Sequence, residues 1–187
     1  MIGRLLLILL ISLPAWCSAA DFSQFKALTE TPDILRGQFV QSKYISALET
    51  ELKSSGTFAY HRGTSIEWRT LIPIENILTL TPARMVTSQG DKEFSRLESD
   101  GNPAVAIFSN IFFGVMTAEW EQLAEYFSMR LELDGAHWLV TLLPKDSTIE
   151  QVVMKVELRG DKWLRDVRVY EAGSDLTHIR FIDLQQE

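Results

Sequence analysis

Cysteine is almost absent from this chain: the single one, Cys17, lies within an apolar N-terminal stretch. Once that stretch is removed no thiol remains, which excludes both a disulfide framework and a thiolate nucleophile. Basic clusters are absent too. The 187 residues carry a net charge of −7 without a run of Lys or Arg, so a phosphate backbone is a poor partner and no nucleic acid is expected. After residue 20 no apolar run approaches the roughly 20 residues a membrane-spanning helix requires. The spacings that carry catalysis are missing as well. His61, His137 and His178 fall on separate predicted strands, with neither H-x-x-x-H spacing nor a nearby cysteine, so zinc is not expected. The chain has no G-x-S-x-G elbow, no glycine-rich strand-to-helix turn, and no aromatic row interleaved with cations. The pairs Glu49/Glu51 and Glu119/Glu121 read as solvated or helix-start carboxylates. The expectation is a protein that is not an enzyme and needs no cofactor and no metal.

What is present begins with a secretory leader. Arg4 supplies the positive end, Leu5 to Leu13 are nearly all Leu or Ile, and Pro14 breaks the run. Ser18 and Ala20 satisfy the small-x-small rule for cleavage before Asp21, and Cys17 with Ala19 allows cleavage one residue earlier. Acylation of Cys17 is a rival processing route, but the large Trp16 before it fits poorly. Residues 1–20 are therefore expected to be a signal peptide and residues 21–187 a single exported domain, a monomer. Losing Arg4 with the leader lowers the charge from −7 to −8. About 167 residues can bury a core without metals or disulfides.

Asp21 can cap a short helix over Phe22 to Thr29, which Pro32 stops. The hydrophobic period then changes to two. Strands are predicted around Phe39 and Phe58, over Ile66 to Ile72, Asn76 to Leu80, Arg84 to Ser88 and Glu93 to Glu98. After a helical interruption, Met129 to Leu133 and Trp138 to Leu142 flank Asp134-Gly135, a type I′ hairpin signal. Val152 to Leu158, Trp163 to Val169 and Leu176 to Leu184 complete the series. No helix long enough for a crossover separates the strands, so neighbours are expected to pair antiparallel as a meander. Ten to eleven such strands in so small a domain must coil to bury one face. The expected fold is α+β, mainly β: an incomplete antiparallel barrel with a helical lid over an apolar cavity.

The interruption holds the most unusual segment, Ala104 to Met116 (AVAIFSNIFFGVM), with no charge and three phenylalanines. As a helix it places Val105, Phe108, Phe112 and Val115 on one face and Ile107, Ile111 and Gly114 on the next, with Met116 at its end. Thr117 can cap a following helix through Phe127. Such a segment is either buried or covers something kept from water, and the reading here is a hydrophobic lid.

Arg36-Gly37-Gln38-Phe39-Val40-Gln41, then Ser55-Gly56-Thr57-Phe58, then Arg62-x5-Trp68 and Pro73 form an ordered series. It resembles the periplasmic outer-membrane lipoprotein carrier family, the LolA-like proteins. Gly63, in place of the family's proline, and Thr81 to Gln89, without its D-G-x-x-x-W/Y-x-Y pattern, mark a divergent branch. The resemblance implies a carrier that takes the acyl chains of a lipoprotein or similar lipid cargo from an inner-membrane release complex to an outer-membrane acceptor. It also implies that Arg62 latches the lid, a guanidinium being suited to bridging several carbonyls. Read from the residues alone, the alternative is a strand-face arginine in a surface ion pair. The acyl-binding residues are expected to be Phe39, Phe58 and Trp68 on the strands and Val105, Ile107, Phe108, Ile111, Phe112, Val115 and Met116 in the lid. Alternatives are a lipid-sensing regulatory domain of the same fold, and a carrier of polyene or glycolipid cargo.

Overall fold

The computed structural model describes residues 25–29, 32–100, 112–116 and 120–187. The leader, the first three residues of the first helix, Val105, Ile107, Phe108, Ile111 and the proposed cap Thr117 lie outside the described residues. Eleven strands form one sheet: β1 (Ile34–Ile45), β2 (Thr50–His61), β3 (Ser65–Ile72), β4 (Asn76–Leu80), β5 (Arg84–Gln89), β6 (Lys92–Glu98), β7 (Phe127–Asp134), β8 (His137–Pro144), β9 (Val153–Gly160), β10 (Leu164–Glu171) and β11 (Leu176–Gln186). Helices are short: α1 (Trp120–Tyr126), α2 (Ser147–Glu150), and helical stretches at 25–28 and 112–116.

The strand order is β6-β5-β4-β3-β2-β1-β11-β10-β9-β8-β7. Instead of the single meander expected, two meanders, β1 to β6 and β7 to β11, join where β1 pairs with β11, Phe39 opposite Phe181. The sheet does not close. Among the described residues β6 and β7 have no partner on their outer sides, and the chain that runs between them carries 112–116 and α1. The seam of the sheet and the helical insertion therefore coincide.

Period two decides which face is buried. Leu35 and Phe39 on β1 point the same way as Phe58 and Tyr60 on β2, Ile66 and Trp68 on β3, and Leu80 on β4, and all are buried. In the second meander Trp138, Val140 and Leu142 align with Val156 and Leu158, and Ile179 and Phe181 complete the same face. Burying each of these large side chains stabilises the fold by about 1.5–3 kcal/mol. The stretch 25–28 and α1 close one end, where Phe25 packs with its ring centroid 4.6 Å from that of Trp120 and 5.3 Å from that of Trp138.

Three local features differ from the sequence reading. Asp134 pairs with His137, so the central turn residues are Gly135 and Ala136, and only Gly135 has positive φ (59°). That is the requirement of a II′ turn, not I′: an aspartate with a Cβ stays extended while the glycine takes the left-handed position. The four-residue helix α2 was not anticipated, and Asp146 caps it by accepting a 2.6 Å bond from the Thr148 amide. Gly63 sits at φ 64° in the β2–β3 turn, a conformation closed to proline, whose φ is fixed near −65°.

Candidate functional site

Phe39, Phe58 and Trp68, read from the sequence as cargo-facing residues, come together on the buried face. Phe39 stacks on Trp68 with centroids 3.8 Å apart and planes at 28°. Phe58 stands 6.3 Å from Trp68 and 5.1 Å, edge-on, from Phe181. Phe181 is itself edge-on to Trp68 at 5.9 Å. Four rings from four strands thus form one apolar wall, in tilted and edge-to-face geometries that favour aromatic pairs.

The helical stretch 112–116 lies on this wall. Phe112 meets Trp68 edge-on with centroids 5.9 Å apart at 84°. Phe113 and Met116 are buried, and Val115 packs against the core from a half-buried position. Gly114 allows the close approach to α1: a Cβ there would come within 3.0 Å of Leu123. Val115 and Met116 border a void of only about 20 Å³.

Arg62 follows β2 and is half-exposed. Its Nε donates to the Pro32 carbonyl at 3.4 Å and approaches the Asp33 carboxylate at 3.2 Å, and the backbone amide donates to the Asp33 carbonyl at 2.9 Å. Among the described residues the guanidinium therefore ties the end of β2 to the chain entering β1, combining a carbonyl contact with a surface ion pair.

The small void is also lined by Trp120, Trp138 and Trp163. Trp138 donates its indole N–H to the Asp161 carbonyl at 2.5 Å. The indole nitrogens of Trp120 and Trp163 are buried and meet no acceptor among the described residues. Trp120 is only 1% exposed, so the first of these is a buried donor left unsatisfied, which costs about 1–3 kcal/mol. Trp163 is flanked by cations, with Lys162 Nζ 4.7 Å and Arg165 Cζ 5.6 Å from its ring centroid. Asp161 fixes the turn below it by accepting from the Trp163 amide at 3.0 Å and from Arg165 Nε at 3.0 and 3.1 Å. A wider, open cleft of about 500 Å³ lies at the β7–β8 turn, but it is lined by charges of both signs, among them Glu132, Asp134, Arg159 and Arg165. Leu133, Trp138 and Leu139 also line it, but it holds none of the four rings of the wall.

No protein-family model matches the chain, and no curated protein matches its sequence. Solved structures share its outline. A LolA superfamily protein from Nitrosomonas europaea is 8% identical over 88% of this chain and 91% of its own, with a TM-score of 0.45. An outer membrane lipoprotein-sorting protein domain from Vibrio parahaemolyticus is 11% identical over 89% and 90%, with a TM-score of 0.43. A chain of the Pseudomonas aeruginosa MucA/MucB complex is 16% identical over 87% of this chain, with a TM-score of 0.48, and the match spans only 56% of that chain. At these scores the likenesses fix no residue's role.

An unclosed, eleven-stranded antiparallel sheet with a few short helices is the architecture that the sequence resemblance implied. Phe181 belongs to the wall, yet it was not singled out in advance. Period two would have put Phe181 inward with Ile179, but nothing in the sequence says that β11 lies beside β1. His178, without metal-ligand spacing, bonds Asp166 at 2.5 Å across β10 and β11.

Proposed function

We propose that the chain is a non-catalytic carrier of acyl chains, conveying a lipoprotein or comparable lipid cargo through the periplasm from an inner-membrane release complex to an outer-membrane acceptor. The observation that carries this reading is a single helical turn, 112–116, laid over a wall of four aromatic rings with Phe112 edge-on to Trp68. Hydrocarbon is the chemical equivalent of what that turn contributes, so an acyl chain can take its place.

The energetics favour exchange over permanent capture. A sixteen-carbon chain gains about 12 kcal/mol on burial at about 0.8 kcal/mol per methylene. Displacing three side chains such as Phe112, Phe113 and Met116 returns roughly 5–9 kcal/mol, leaving an affinity from which cargo can still be handed on. Arg62, by holding the Pro32–Asp33 entry to β1, would tune how readily that end of the sheet opens.

The test is lipid analysis of protein purified without detergent. Mass spectrometry of an organic extract should find acyl lipid, and a fluorescent fatty probe should bind and be displaced by it. Transfer of a labelled lipopeptide between vesicles then separates a carrier from a sensor, since a sensor retains lipid without accelerating transfer. Finding neither co-purified lipid nor probe binding would overturn the proposal.

A further inference from the structure

We infer that the void beside Trp120 and Trp163 is a subsite for the carbonyl oxygen of the cargo's acyl group, with the two indole N–H groups as its donors. This rests on the carrier reading and specifies which end of the cargo lies where. Three observations converge. Two buried indole donors have no acceptor among the described residues, although buried polar groups are nearly always paired. Both tryptophans line one void of about 20 Å³, room for a single oxygen but not for a chain. The third wall of that void is Val115 and Met116, on the same helical turn whose Phe112 covers Trp68.

The last point links the subsite to the aromatic wall. Phe112 precedes Val115 and Met116 by three and four residues, about 5–6 Å along a helix axis at 1.5 Å per residue. Displacing this turn opens both places at once. An acyl chain with its carbonyl at the tryptophans then runs along the path vacated by Val115 and Met116 and reaches the Phe39–Trp68 stack several carbons further on. The chemistry recognised is that of an ester or amide carbonyl: indole donates and cannot accept, so a hydroxyl-free alkyl chain gains nothing here. Lys162 and Arg165, over the face of Trp163, add positive potential that favours an oxygen acceptor.

The experiment compares two probes that differ in the carbonyl alone: 1-palmitoylglycerol and 1-O-hexadecylglycerol, each competing with a fluorescent fatty acid for the full exported domain. The ester is expected to bind about tenfold more tightly, the gain from two net hydrogen bonds. Trp120→Phe and Trp163→Phe should each reduce the preference to about threefold or less while ether binding stays within twofold. In the unsubstituted protein, the indole N–H resonances of Trp120 and Trp163 should shift downfield with the ester and not with the ether, a readout independent of how well the variants fold. Equal binding of the two probes, or unmoved indole resonances, would overturn the subsite and leave the carrier reading standing. Binding of neither probe would remove both.

Discussion

Phe39 and Trp68 lie on strands that are not neighbours, yet their rings stack 3.8 Å apart across Gly56 of the strand between them. The glycine makes the stack possible. A Cβ at Gly56 would fall 1.9 Å from the Arg69 carbonyl oxygen and 3.0 Å from the Phe39 ring.

Gly56→Ala should therefore destabilise the fold by about 3 kcal/mol, at the upper end of overpacking costs, because backbone as well as a ring must move. Gly173→Ala, where an added Cβ meets nothing within 4 Å, should stay within about 0.5 kcal/mol. Urea denaturation of the two variants checks the contrast.

Phe112→Ala removes the edge-to-face contact with Trp68, worth about 0.5–1.5 kcal/mol beyond area burial. The cover then competes less well with hydrocarbon. A fatty probe should bind roughly 2–10-fold more tightly, and weaker or unchanged binding in a fluorescence titration would show that 112–116 does not compete for the wall.

Arg62→Leu loses a half-exposed ion pair with Asp33 and a long bond to Pro32. Exposed pairs contribute about 0–1 kcal/mol, so the thermal midpoint should barely change. Lipid transfer between vesicles should change, through an altered balance between holding and releasing cargo. Normal transfer by this folded variant would rule out a latching role.

Acid stability should depend on Asp161. Burial raises its pKa, but the Trp163 amide and the Arg165 guanidinium lower it, and the net shift is downward. Glu157 is likewise held low, chiefly by its hydrogen bond from Lys155. A carboxylate with a depressed folded pKa contributes stability above its unfolded value, about 3.9 for aspartate, and loses it as pH falls through the folded value. The melting temperature should therefore be flat from pH 7 to pH 5 and fall below about pH 4. Asp161→Asn should start lower at pH 7 and show a shallower acid decline; parallel curves would contradict this assignment.

Local chemistry made part of this fold legible in the sequence. Pro73 and Pro82 bracket β4, which spans the residues read in advance, Asn76–Leu80. Phe39, Phe58 and Trp68, named in advance as cargo-facing, meet on one face, although period two within each strand does not set the register between strands. Partner choice was not legible: β1 finds β11 across most of the chain, a pairing decided by burial of the whole face and not by any residue in either strand. Helix α2 is too short to show a period, and its sole signal is the Asp146 cap. The bond partners of Arg62 and the burial of the Trp120 and Trp163 indole nitrogens are likewise products of tertiary packing, which side-chain type alone does not announce.

The break in the hydrogen-bonded ladder falls between β6 and β7, where the chain carries the turn that covers the aromatic wall. One contiguous stretch can thus be lengthened, shortened or replaced while every strand keeps its mate. Under the proposed carrier role, a scaffold of this kind is a natural host for grafted lids with different tastes in cargo.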